Sequence, residues 1–143
     1  MLPSADDTSN LKEIEMQWAV KAMTHAEIYM NILKSRPAES IQLTPIDDEL
    51  YKDFREEFPT LNIKVLDEKN DFKSEAAKRK WRNFMNKYEK RVADFSFGTL
   101  MRIDSQDDYT EENSMFTYRL QFLCIEIARL REGYNDKFYT KPS

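Results

Sequence analysis

The chain has 143 residues, enough for one domain with a sizeable core: 41% are hydrophobic, with 9 Phe, 7 Tyr, 2 Trp and 7 Met. Its only 2 glycines, Gly98 and Gly133, leave no Gly-rich phosphate loop, dinucleotide fingerprint or P-loop, and few glycine turns for an all-β fold. The formal net charge is −4, yet residues 73–91 hold 8 basic and 2 acidic side chains, a basic segment in an otherwise acidic chain.

Cys124 is the only cysteine, which excludes an internal disulfide and a thiolate zinc site; on an apolar helix face it reads as a buried, inert thiol. No N-terminal stretch resembles a signal peptide, and no run of about 18 apolar residues is present to span a bilayer. The expectation is a cytoplasmic protein without membrane or DNA contact, needing no cofactor and no metal.

Residues 1–9 are polar and predict a flexible N-terminus, followed by one helical domain over 10–138 and a short tail at 139–143. Asn10 followed by Glu13 resembles a cap with its capping-box partner, starting a helix that runs to about Ser35 and stops before Pro37. Leu11, Ile14, Trp18, Ala22, Tyr29, Ile32 and Leu33 share its core face, widened by Ala19, Met23, Ala26 and Met30. His25, the single histidine, falls on that face. A metal or acid–base role competes there with a hydrogen-bonded core histidine, and the second reading is the simpler one.

Thr44-Pro45-Ile46-Asp47 predicts a helix start, with Thr as cap, Pro at the first position and Asp three residues on. Ile46, Leu50, Tyr51, Phe54 and Phe58 share its face, and Pro59 ends it. The acids Asp47, Asp48, Glu49, Asp53, Glu56 and Glu57 read as a solvated face in preference to a metal site. Leu61, Ile63 and Val65 alternate with polar residues, as in a short extended piece.

Ser74 caps a predicted helix reaching about Asp94, with Ala77, Trp81, Phe84, Met85, Tyr88 and Val92 as its apolar stripe. Lys78, Arg79, Lys80, Arg82, Lys87, Lys90 and Arg91 cover the rest. This basic surface reads either as a contact for phosphates or an acidic partner, or as a solvated face neutralised by nearby acids. The aromatics fall on the buried stripe, so no base-stacking platform is expected. Phe95, Phe97, Thr99, Met101 and Ile103 alternate as a strand or connector, in which Gly98 marks a helix end or a close backbone approach.

Thr110 to Arg131, TEENSMFTYRLQFLCIEIARLR, is the expected centre of the fold. With helical spacing Phe116, Leu120, Leu123, Cys124, Ile127 and Leu130 make one apolar face, and Met115, Tyr118, Phe122 and Ile125 a second. Thr110 is its expected cap and Gly133 its end. Arg119, Glu126 and Arg129 form a polar seam at the core's edge. The fold class is therefore mainly α: a single-domain bundle of about four helices around a central C-terminal helix, with one or two short extended pieces at most.

Five stretches together, EIEMQWAVKAMTHAEIY (13–29), LTPIDDELY (43–51), KSEAAKRKWR (73–82), DFSFGTLMRID (94–104) and RLQFLCIEIARLREGYND (119–136), resemble the polysaccharide biosynthesis domain-containing protein 1 family. The resemblance covers roughly 10–138. The family's members are small eukaryotic cytosolic proteins, some carrying a long charged C-terminal extension beyond the matched region. The family name points to carbohydrate chemistry. The role the resemblance implies is instead that of a dedicated chaperone in biogenesis of translation elongation factor 1-alpha, holding the newly made GTP-binding domain near the ribosome.

No catalytic, cofactor or metal residues transfer with the resemblance. The positions it singles out are Arg102, Asp104, Arg119, Glu126, Arg129, Asn135 and Asp136, as a partner-contacting set or as a buried ion-pair and turn network. Three functions are therefore weighed: a non-enzymatic chaperone, a carbohydrate enzyme, and an RNA- or ribosome-binding adaptor using the basic helix. For client contact, Met16, Met101 and Met115 are candidate exposed side chains.

Overall fold

A computed structural model describes residues 7–141, with side chains from Lys12 onward. Residues 1–6 and 142–143, with most of the expected flexible start and the end of the tail, lie outside them. The described residues form α1 (Asp7–Ser35), α2 (Asp47–Glu57), α3 (Glu75–Asn86), β1 (Gly98–Arg102), β2 (Ser114–Tyr118) and α4 (Arg119–Glu132). Single 3-10 turns lie at Ala38–Ser40 and Asp136–Phe138, and a π turn at Lys69–Lys73. The architecture is mainly α, with one antiparallel ribbon in which Gly98 pairs with Tyr118 and Arg102 with Ser114.

The central element is shorter than its periodicity predicts. Residues 114–118 are strand, and the helix starts only at Arg119. Ser-Met-Phe-Thr-Tyr is a β-branched and aromatic run, and pairing with β1 satisfies the backbone of Met115 and Thr117 while burying their side chains. Thr110 is therefore no helix cap; its hydroxyl accepts from the Asn113 N–H in the preceding turn. The actual cap is Tyr118, with the Gln121 side chain reaching back to its N–H. From Leu120 to Leu130 every residue of α4 except Phe122 is buried, so the helix is packed on more than one side. Gly133 ends it at φ 89°, where a side chain is strained, and Tyr134 donates to the Arg129 carbonyl.

The α2–α4 packing is fastened by Arg55, whose Nε and Nη2 each reach a different oxygen of Glu132 at 2.8 Å. Phe54 and Phe58 of the α2 segment stack on Trp81 of α3, and Leu50 joins them in the main core. At the α2 start, the Thr44 and Leu43 N–H groups donate to Asp47, and the Ile46 N–H to the Thr44 hydroxyl. Thr44 is therefore not the cap and Pro45 not the first helical residue, because the Thr44 hydroxyl is taken up by the Ile46 N–H in a tight turn; the helix begins at Asp47, whose side chain is buried in that turn.

Other expectations need correction. α1 already begins at Asp7, so Asn10 lies inside it and is not its cap. Ser74 does cap α3, accepting from the Ala77 N–H. α3, however, ends at Asn86, and turns follow to Asp94, whose φ is +57°. Tyr88 and Val92 stay buried across those turns, so burial there does not require helix. Ile63 and Val65 lie in extended chain, held by a single bridge from Val65 to Asp104. Gly98 marks a close approach: a Cβ there would lie 2.5 Å from the Phe116 ring.

Candidate functional site

The residues singled out along the sequence divide into a buried network and scattered outliers. Arg102 leaves the end of β1, Glu126 and Arg129 sit one turn apart on α4, and Asn135 follows the helix. Glu126, Arg102 and Arg129 have no solvent exposure and Asn135 only 2%. Glu126 Oε1 accepts from the Tyr29 hydroxyl at 2.7 Å, Arg102 Nη2 at 2.9 Å and Asn135 Nδ2 at 3.0 Å. Its Oε2 accepts from Arg129 Nη1 at 2.7 Å. The guanidiniums then reach backbone carbonyls: Arg102 that of Ser105, Arg129 those of Ile63 and Ile103.

Burial alone would raise the Glu126 pKa. The two guanidiniums outweigh it and hold the carboxyl down at about 2. Burial and the Glu126 charge push the Tyr29 hydroxyl up. A carboxylate saturated by donors and closed to water orients α1, β1 and α4 on one another; it has no free lone pair or solvent path for acid–base work. Tyr29, read in the sequence only as a core aromatic, is thus a network member. Only its proximity to Glu126, 97 residues on, shows this.

The remaining positions lie elsewhere. Arg119 is exposed, so the expected seam at the edge of the core does not form; Glu126 and Arg129 are central to it instead. Asp104 accepts from the Gln106 N–H in a half-buried turn, and Asp136 is exposed. Met101 and Met115 are buried and unavailable to a client, whereas Met16 is 69% exposed.

The second feature is the first half of α1. From Lys12 to Lys21 every residue is exposed except half-buried Ala19. Ile14, Met16 and Val20 are each more than half exposed, as are Met23 and Ile28 further along, contrary to the core role expected of Ile14, Trp18 and Met23. Burial on α1 begins at Ala22 and holds through Ala26, Tyr29, Met30 and Leu33. An amphipathic stripe says that a face can be covered, and here the described residues leave it open to water.

Between α1 and the β1 strand lies an open cleft of about 660 Å³, lined by Trp18, His25, Ile28, Phe97, Leu100 and Phe122 among others. His25 is exposed on its wall and is not a core histidine. Asp94 is the one carboxylate among the described residues lining the cleft, and a glycosidase-type pair requires two. Cys124 is buried away from it, its thiol pushed up by burial.

The basic segment is split by its neighbours. Lys87 pairs with Asp53 and Arg91 with Glu49 of α2, and Lys80 lies 4.6 Å from the centre of the Phe58 ring. Arg79 and Lys90 are exposed. Lys78 and Arg82 instead border a groove of about 290 Å³ beside β2. Phe116 and Tyr118, on β2, are 43% and 44% exposed, so aromatics do stand beside basic side chains, contrary to the sequence reading. Strand alternation turned them outward.

Among the described residues no helix is long and apolar enough to cross a membrane, and no cluster of three or more potential metal ligands occurs.

The family model for PBDC1 protein matches residues 14–140. The human protein PBDC1 is 49% identical over 94% of this chain and 58% of its own length; the mouse protein is 51% identical over 88% and 63%. The chain thus spans about three fifths of those mammalian relatives. The Schizosaccharomyces pombe PBDC1 homologue is 42% identical, with 92% of each chain covered. A Saccharomyces cerevisiae protein solved by solution NMR superposes with a TM-score of 0.82 at 39% identity, covering 95% of both chains. The chain belongs to the PBDC1 protein family.

Proposed function

We propose that this protein is a non-enzymatic, cytoplasmic chaperone that assists biogenesis of translation elongation factor 1-alpha by holding its GTP-binding domain near the ribosome. The family resemblance implies the client. The observation that carries the binding role is the uncovered apolar strip on one side of α1, where Met16, Val20 and Met23 are 57–69% exposed. Patches of this kind mark sites for other proteins. Methionines on the patch suit a client whose surface is still forming, because an unbranched thioether adapts to many shapes.

The test is capture of elongation factor 1-alpha chains from a translating eukaryotic lysate. The wild-type chain should enrich them, and Met16→Asp/Val20→Asp should lose them with unchanged thermal stability, since both side chains are already in water. Equal recovery by the variant, or none by the wild type, would remove the reading.

A further inference from the structure

We propose that the groove between α3 and the outer edge of β2 binds an extended acidic peptide segment, with an apolar side chain in its floor and its backbone laid along β2. The inference does not rest on the chaperone reading, because its evidence lies on α3 and β2 and not on the uncovered part of α1.

The backbone supplies the first argument. Ile103 donates to the Asn113 carbonyl and Arg119 to that of Phe97, so the odd-numbered residues of β2 face β1. Phe116 then directs its N–H and C=O away from the ribbon, and among the described residues the carbonyl meets the Lys73 ammonium alone, at 3.5 Å. An open strand edge is a template for a further strand.

Charge and shape supply the second. Phe72, Met85 and Phe95 contribute the apolar part of the lining, while Lys73, Lys78 and Arg82 contribute its charge. No carboxylate lines the groove among the described residues. Neither Lys78 nor Arg82 takes part in an ion pair there, unlike Lys87 and Arg91 further along the same segment. Unneutralised cations around an apolar slot complement acidic side chains flanking an apolar one.

A single-stranded RNA would seek the same cations, but it also needs free aromatic faces. Phe116 already packs on Trp18, at 5.6 Å between ring centroids, and on the Lys73 ammonium, 5.6 Å from its ring centre, which leaves Tyr118 as the groove's other exposed ring, too few for successive bases. The chain's net charge of −4 further opposes a long polyanion.

The test is fluorescence anisotropy of the full chain with a short labelled peptide alternating Glu and Leu. The wild type should bind it and should not bind the counterpart alternating Lys and Leu. Lys73→Glu/Lys78→Glu/Arg82→Glu should weaken binding about tenfold or more. Arg79→Glu/Lys80→Glu, on the same segment but outside the groove, should leave it unchanged. Should the triple variant lose its circular-dichroism signature, Arg82→Glu alone should show the same direction of effect. Methylating the peptide's backbone nitrogens should abolish binding. The proposal is overturned if the wild type ignores the Glu/Leu peptide, if the Lys/Leu peptide binds equally, if the outside pair weakens binding as much, if methylation has no effect, or if an oligouridine displaces the peptide. Each of these results would leave capture of elongation factor chains through α1 as it stood.

Discussion

Replacing Glu126 by Gln removes one charge from the middle of the protein and almost nothing else. The amide has the carboxylate's shape, and its oxygen can still accept from Tyr29 or Asn135. What it cannot do is balance Arg102 and Arg129, both wholly buried, with Glu126 as their one ion-pair partner among the described residues. Breaking a buried ion pair by removing one partner costs about 3–5 kcal/mol. For a chain of this size that is a fall in Tm of roughly 10–20 °C. The pH dependence supplies an independent check. Glu126 is held at about 2 in the folded state against 4.5 as its ordinary value. A depressed carboxyl contributes stability that is fully present above the unfolded pKa and is lost as pH falls through the folded one. The wild type should therefore lose about 3 kcal/mol between pH 5 and pH 2 from this residue, a loss the Gln variant lacks. Urea unfolding followed by the fluorescence of buried Trp81 measures both quantities. A Gln variant within about 1 kcal/mol of wild type at pH 7, or an unchanged acid slope, would refute the argument that this network fixes α1, β1 and α4.

Two further outcomes follow from the packing. Leu123→Ala should cost about 2–5 kcal/mol in urea unfolding, because Leu123 is 2% exposed in the main core; a loss under about 1 kcal/mol would mean that α4 is not the packed centre. Gly98→Ala should cost about 1–3 kcal/mol and shift Trp18 fluorescence, since the new methyl meets the Phe116 ring at 2.5 Å and Trp18 at 3.1 Å; adding Phe116→Ala should restore stability, and a neutral Gly98→Ala would refute the close approach.

Much of the fold could be read along the chain because it depends on short-range chemistry. Pro59 and Gly133 end helices where expected, and Ser74 starts one, since caps and breakers act within a turn. The apolar stripe of α3, the buried Cys124 and the mainly α class follow from periodicity. Candidate positions were legible in the same way: Glu126 and Arg129, one turn apart, could be seen as a charged pair on an apolar helix. What they bind could not be seen, because Tyr29, Arg102 and Asn135 come from elsewhere in the chain.

Tertiary structure decided the rest. Residues 114–118 have a helical pattern as well as a strand pattern, and a partner strand 16 residues earlier settles the choice by satisfying the backbone of Met115 and Thr117. Periodicity likewise marks the apolar side of α1 without saying whether anything lies against it. Ala22 to Leu33 finds β1 and α4, and the turns before it, Trp18 against Phe116 apart, find water. The residues that form a face are a property of sequence spacing. Whether that face is buried, and so whether it serves the core or a partner, depends on where the rest of the chain ends up.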